Sequence, residues 1–166
     1  NVVVNDTENF IVDGSYNYAI EASVGGFTAT NCHSVNIENK AEKGNGAVSG
    51  DVNITGDGLE EGQAVFRSKG TTPCINGVVK INNFDIVNIF YENYFAIASK
   101  DGVDIEDCGL VQIRNINSQS NAVNAINDIQ FKNCETVEVS SENGRALNSI
   151  YRNISFTNCG NVAVET

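Results

Sequence analysis

"VDIEDCGLVQIRN", residues 103–115, alternates apolar and polar residues, breaks at Asp107-Cys108-Gly109, and then alternates again. The same phrase stands at 129–141 as "IQFKNCETVEVSS", at 154–166 as "ISFTNCGNVAVET" and at 27–39 as "FTATNCHSVNIEN". Written Φ-x-Φ-x-[N/D]-C-x-x-Φ-x-Φ, it also fits "VKINNFDIVNI" at 79–89, with Phe84 for cysteine, and "VVVNDTENFIV" at 2–12, with Thr7 for cysteine. A degenerate copy, "VNITGD", begins at Val52. The starts 2, 27, 52, 79, 103, 129 and 154 are spaced by 25, 25, 27, 24, 26 and 25 residues. Period-two alternation rich in Val, Ile and Phe marks short strands. A third apolar patch follows in most units, as in "YAI" 18–20, "FAIA" 95–98 and "NAI" 124–126. No stretch keeps a helical period over ten residues, and Asn, Gly, Ser and Asp fill the gaps as turns require.

Three short strands per unit describe one coil of a solenoid. The sequence therefore predicts an all-β chain, a parallel β-helix (β-solenoid) of about seven coils with a repeat of about 25 residues, forming one domain over 1–166. Val4, Ile54, Ile81, Ile105, Phe131 and Phe156 should share one inward column. A second column, at the turn between the first two strands, reads Asp6, Asn31, Gly56, Asn83, Asp107, Asn133, Asn158. Asn and Asp tolerate a left-handed backbone and pass hydrogen bonds from coil to coil. The next column reads Thr7, Cys32, Asp57, Phe84, Cys108, Cys134, Cys159.

Composition narrows the function. The chain carries 10 basic and 21 acidic residues, a net charge of −11, which repels nucleic acid and anionic membrane surfaces. No apolar run is long enough for membrane insertion. Such an acidic surface suits an extracellular or cell-surface setting. Five cysteines are an odd number, so one is free or pairs outside the chain. Cys108, Cys134 and Cys159 form a cysteine ladder on three successive coils, read either as buried free thiols or as neighbours within disulfide reach. Cys32 lies three coils from Cys108, too far to pair. Cys74, in "GTTPC", falls outside the column and is the candidate for an intermolecular disulfide. His33 is the only histidine, which argues against zinc or haem. Three Asn-x-Ser/Thr sequons, at Asn5, Asn53 and Asn153, should face outward.

The repeat resembles the right-handed parallel β-helix superfamily typified by pectate lyases, over essentially the whole chain. That resemblance implies a polysaccharide as substrate or ligand and, for a calcium-dependent lyase, a carboxylate cluster holding calcium with a basic residue to abstract the proton. The matching carboxylates are Asp51, Asp57, Glu60 and Glu61 in "DVNITGDGLEEG", and the basic candidates are Arg67 and Lys69. A second acidic patch is Asp101, Asp104, Glu106 and Asp107. The structural expectation is that these are solvated turn carboxylates.

The ends carry the leading expectation. The sequence opens within its first rung, "NVVV", and closes inside its seventh, "NVAVET", leaving no residues for a cap. Either it is a piece of a longer β-helix, or its open edges, with Val2, Val4, Val162 and Val164 at the rims, meet other copies. The second case makes the chain its own partner in a sheath, tube or filament of the cell envelope. It bears a weaker likeness to the sheaths of filamentous methanogenic archaea. A calcium-dependent polysaccharide lyase, or an inactive carbohydrate-binding relative, is the alternative.

Overall fold

The computed structural model describes residues 1–22, 24–116 and 119–166. Strands are numbered β1 to β20 in chain order and fall into three parallel sheets, with no helix among the described residues. The first sheet holds β1 (Val2–Asn5), β4 (Phe27–Cys32), β7 (Val52–Gly56), β10 (Val79–Asn82), β13 (Val103–Glu106), β16 (Ile129–Lys132) and β19 (Ile154–Thr157). The second holds β2 (Asn9–Gly14), β5 (Ser34–Asn39), β8 (Gln63–Ser68), β11 (Ile86–Tyr91), β14 (Leu110–Asn115), β17 (Thr136–Ser141) and β20 (Asn161–Glu165). The third is thinner, with β3 (Ile20–Glu21), β6 (Val48–Ser49), β9 (Ile75–Asn76), β12 (Ile97–Ser99), β15 (Val123–Ala125) and β18 (Leu147–Ser149). The chain visits the sheets in rotation, so this is a β-solenoid. Sheets of seven, seven and six strands make six full turns and two sides of a seventh. All seven repeat starts head strands of the first sheet.

Register explains why the phrase recurs. Each coil satisfies its backbone groups on the coil before and after, so equivalent residues stack directly. Val4, Ala29, Ile54, Ile81, Ile105, Phe131 and Phe156 are Cα partners in sequence and form the expected inward column. The two phenyl rings at its end lie 5.2 Å apart and nearly coplanar in orientation, at 6°. In the second sheet Phe10, Val35, Ala64, Val87, Val111, Val137 and Val162 form another apolar column. These columns meet in one continuous core.

At the corner between the first two sheets the chain turns through a left-handed residue. Asp6, Asn31, Asn83, Asp107, Asn133 and Asn158 have φ between 49° and 64°. The side chains form a directional ladder, each amide donating to the coil before it. Asn31 Nδ2 reaches Asp6 Oδ1 at 2.8 Å, Asn133 reaches Asp107 Oδ1 at 2.8 Å, and Asn158 reaches Asn133 Oδ1 at 3.1 Å. An ionised Asp accepts only, so it starts a ladder run and cannot continue one.

The third coil departs from the expected columns. Register shifts between Thr30 and Cys32, so that Cys32 pairs with Gly56 and Asp57 falls out of the cysteine column. Gly56 stays in its strand and makes no left-handed turn there. The position requires glycine, because a Cβ there would sit 2.2 Å from the Asn83 carbonyl oxygen.

The corner between the second and third sheets is held by buried polar side chains. Asn39, Ser68, Tyr91, Asn115 and Ser141 are Cα partners in turn. Ser68 and Ser141 donate to the Asn45 and Ser120 carbonyls at 3.1 and 3.0 Å, and Tyr91 donates to Gly70 at 2.7 Å. Asn39 and Asn115 donate to the same Asn45 and Ser120 carbonyls at 3.0 and 2.7 Å, so neighbouring coils share these loop acceptors.

The ladder predicts a pH response. Asn133→Asp would set a carboxylate against Asp107, and like charges so close raise the folded-state pKa of the pair above its unfolded value. The folded variant then binds protons more tightly than the unfolded chain, so its stability should fall as pH rises through the carboxylate range. We expect a loss of about 1–2 kcal/mol at neutral pH that shrinks toward pH 4, read by chemical denaturation. A variant equally destabilised at both pH values would show that the ladder carries no such coupling.

Candidate functional site

The proposed calcium ligands do not converge. Asp51 precedes β7 and Asp57 follows it, so the strand Val52–Gly56 separates them. Asp51 Oδ1 accepts from the Val78 amide at 3.0 Å, closing the corner between the third and first sheets. Asp57 is occupied at the other end. Its carboxylate lies 3.2 Å from His33 Nδ1 and accepts from the Leu59 amide at 3.1 Å, forming an Asx turn that starts the 57–62 loop. Glu60 and Glu61 are exposed in that loop, and the Glu61 amide donates to Asp85 Oδ2 at 3.0 Å. Among the described residues no group of three His, Cys, Asp or Glu is placed to hold a metal ion. The second acidic patch is shared out between coils: Asp104 pairs with Lys132 at 3.1 Å and Asp107 with Asn133.

Arg67 and Lys69 lie elsewhere, on the outer face of the second sheet and just beyond it. There the register builds a row Glu38, Arg67, Phe90, Arg114 across β5, β8, β11 and β14. Beside it runs the row Asn36, Val65, Asn88, Gln112, Glu138. Glu38, Arg67, Phe90 and Arg114 of the first row and Asn88 and Gln112 of the second, with Lys69, line a shallow groove of about 310 Å³. Lys69 is paired with Glu92 at 3.2 Å and Arg114 with Glu138 at 3.2 Å. The hydrogen bond from Gln112, at 2.7 Å, and the Arg114 guanidinium hold the Glu138 carboxyl below its ordinary range. Arg67 makes no ion pair among the described residues, so its guanidinium is open to an incoming carboxylate or hydroxyl. The sequence did not single out Phe90, Asn88, Gln112 or Arg114. Asn88 and Phe90 on β11 stand a coil apart from Gln112 and Arg114 on β14, and the two pairs meet only once the register is known.

The cysteines have a local role that neither sequence reading supplied. Cys108, Cys134 and Cys159 donate to the carbonyls of Glu106, Lys132 and Thr157, two residues earlier, at 3.1, 3.3 and 3.6 Å. Thr7 Oγ1 does the same toward Asn5 at 2.9 Å. The thiol caps the left-handed turn, which is why a hydroxyl can replace it at Thr7. Cys74 corrects an expectation. It is fully buried, in a column of small residues with Ala47 and Ala96, and its carbonyl accepts from the Ala47 and Val48 amides. Burial pushes its thiol up to about 12. A sulfur so placed cannot reach another chain without opening the core.

The rim residues differ at the two ends. Val2 and Val4 are half-buried, while Val162 and Val164 are 44% and 46% exposed. The sequons at Asn5, Asn53 and Asn153 are exposed, as expected. Compared with protein-family models, characterised proteins and solved structures, the chain gives no match.

One Asp57 oxygen accepts from the loop amide of Leu59 and the other faces His33, so Asp57→Ala should lower stability by about 1–2 kcal/mol. Calorimetry should find the same loss with and without millimolar calcium. A calcium-induced rise in melting temperature that Asp57→Ala abolishes would instead make this carboxylate a metal ligand.

Proposed function

We propose that this chain is a structural β-solenoid that assembles with copies of itself, the last coil of one seating on the first coil of the next. The observation that supports this reading is the match between the inward positions of the first and last coils. Ile154, Val162 and Val164 are 42%, 44% and 46% exposed, whereas Ile129, Val137 and Val139, their partners one coil earlier, are buried. Continuing the register would set Val2 and Val4 over Ile154 and Phe156, and Phe10 and Val12 over Val162 and Val164. Every one of those positions is apolar. Asp6 would follow Asn158 as Asp107 follows Asn83 inside the molecule, a ladder restart that the fold already contains. The contact is heterologous, so it propagates into filaments or closes into tubes. A charge of −11 keeps such a polymer hydrated and suits a sheath or envelope outside the cell. Sedimentation and electron microscopy of the purified chain should show concentration-dependent polymers. Val162→Lys should suppress them while leaving the melting of the central coils unchanged. Monomer alone at high concentration would overturn the reading.

The groove favours a second reading, a polysaccharide-binding solenoid related to the pectate-type lyases. Its support is the open Arg67 guanidinium beside Phe90, with the Asn88 and Gln112 amides for sugar hydroxyls. Titration calorimetry with uronic-acid oligosaccharides should then give binding that weakens at least tenfold in Arg67→Ala. Equal affinity in both proteins, or none in either, would remove this reading.

A further inference from the structure

Of the five cysteines, only three have another thiol beside them. Cys32 stacks between the Thr7 turn and Gly56, and Cys74 between Ala47 and Ala96. Cys108, Cys134 and Cys159 stack on one another, because the Glu135 amide donates to the Cys108 carbonyl and the Gly160 amide to the Cys134 carbonyl, both at 3.0 Å. The side chains of Cys134 and Cys159 also share one orientation. Cys134 Sγ lies 3.7 Å from the Ile105 carbonyl and Cys159 Sγ 3.5 Å from the Phe131 carbonyl, in each case the residue three before the cysteine of the preceding coil. Sulfurs in the same rotamer are separated by the coil spacing of about 4.8 Å, as are the Cα atoms. That Cα separation lies within the roughly 4.4–6.8 Å range of disulfides, and closing the bond takes a χ1 rotation together with a small tilt of the two turns that brings the Cβ atoms from about 4.8 Å to under about 4.5 Å.

We propose that Cys134 and Cys159 are a reversible redox pair, closing a disulfide between adjacent coils when a small-molecule disulfide reaches the protein. Access selects this pair over Cys108 and Cys134. In the unassembled chain Cys108 and Cys134 are 3% and 1% exposed and Cys159 is the half-buried member of the three; a copy stacked on this coil would cover Cys159, so its oxidation and the proposed stacking compete. The Cys159 thiolate attacks the reagent disulfide RSSR, forming a mixed disulfide and releasing one RS⁻. The Cys134 thiolate then attacks the Cys159 sulfur and expels the second RS⁻. Two protein thiols become one disulfide, and two electrons and two protons leave with the pair of RSH molecules. The ladder prepares Cys134 for the second step. Hydrogen bonding with Cys108 draws the Cys134 thiol below the ordinary cysteine range, which favours the thiolate that the second step uses.

The test is oxidation of the folded chain with oxidised glutathione, followed by alkylation, intact mass and peptide mapping. We expect a mass lower by two hydrogens, a Cys134–Cys159 cross-linked peptide, and reversal by dithiothreitol. Cys108→Ser should keep the cross-link, and Cys134→Ser should instead hold a stable glutathione adduct on Cys159. Serine preserves the turn cap, as the hydroxyl of Thr7 does, so both variants should fold. A Cys108–Cys134 bond, a lasting adduct on Cys159 of the unsubstituted chain, or five unmodified thiols would each overturn the proposal.

Discussion

The stacking of each coil on the next in exact register is the constraint on which the rest depends. A strand in this molecule has no hairpin partner beside it in sequence. Its amides and carbonyls find partners only on the coil before and the coil after, about 4.8 Å away. A residue is consequently flanked by its own counterparts, and its chemistry must suit theirs. Apolar residues line up in columns and lose contact with water together, as Ile54, Ile81 and Ile105 do. A side chain that can only accept hydrogen bonds cannot be followed by another of its kind. That limit explains why Asn dominates the left-handed corner and Asp appears there only where a run begins.

What the sequence disclosed follows from this. Columns are periodic, so the first two strands of each coil, the apolar alternation and the Asn corner were all legible at a spacing of about 25 residues. The third sheet was faint because its strands are two or three residues long, too short for alternation to register. The misplacement of Asp57 came from counting residues across a bulge: Thr30 and Cys32 pair with Thr55 and Gly56, leaving Asn31 without a partner. Cys74 was misjudged because its column is made of alanines, and a buried thiol substitutes for a methyl group without any local signature.

The candidate site was less legible for the same reason. Arg67 was visible as a basic residue near acids, but the acids it stood beside in sequence lie at the opposite end of β8. Its true neighbours are Glu38 and Phe90, each one coil away, and Arg114, two coils away. In a solenoid, proximity in sequence places residues along the path of one coil. Proximity in space depends on phase within the repeat. A functional face therefore appears in the sequence as single residues at the same phase, a pattern without contrast until the register is fixed.

The columns also have direction. In the Asn ladder the amides of Asn31, Asn133 and Asn158 all donate toward the preceding coil, and the thiols of Cys134 and Cys159 reach the same way. Parallel strands add a second polarity through their backbone groups. The two faces of any coil are therefore different surfaces, one presenting acceptors and the other donors at that corner. Two copies meeting by like faces would have to pair their strands antiparallel and would break every column at the junction. Only a head-to-tail meeting keeps the apolar columns, the corner ladder and the backbone ladder in phase together. Growth by such contacts would be one-dimensional, and each junction would ask nothing that the interior of the molecule does not already satisfy.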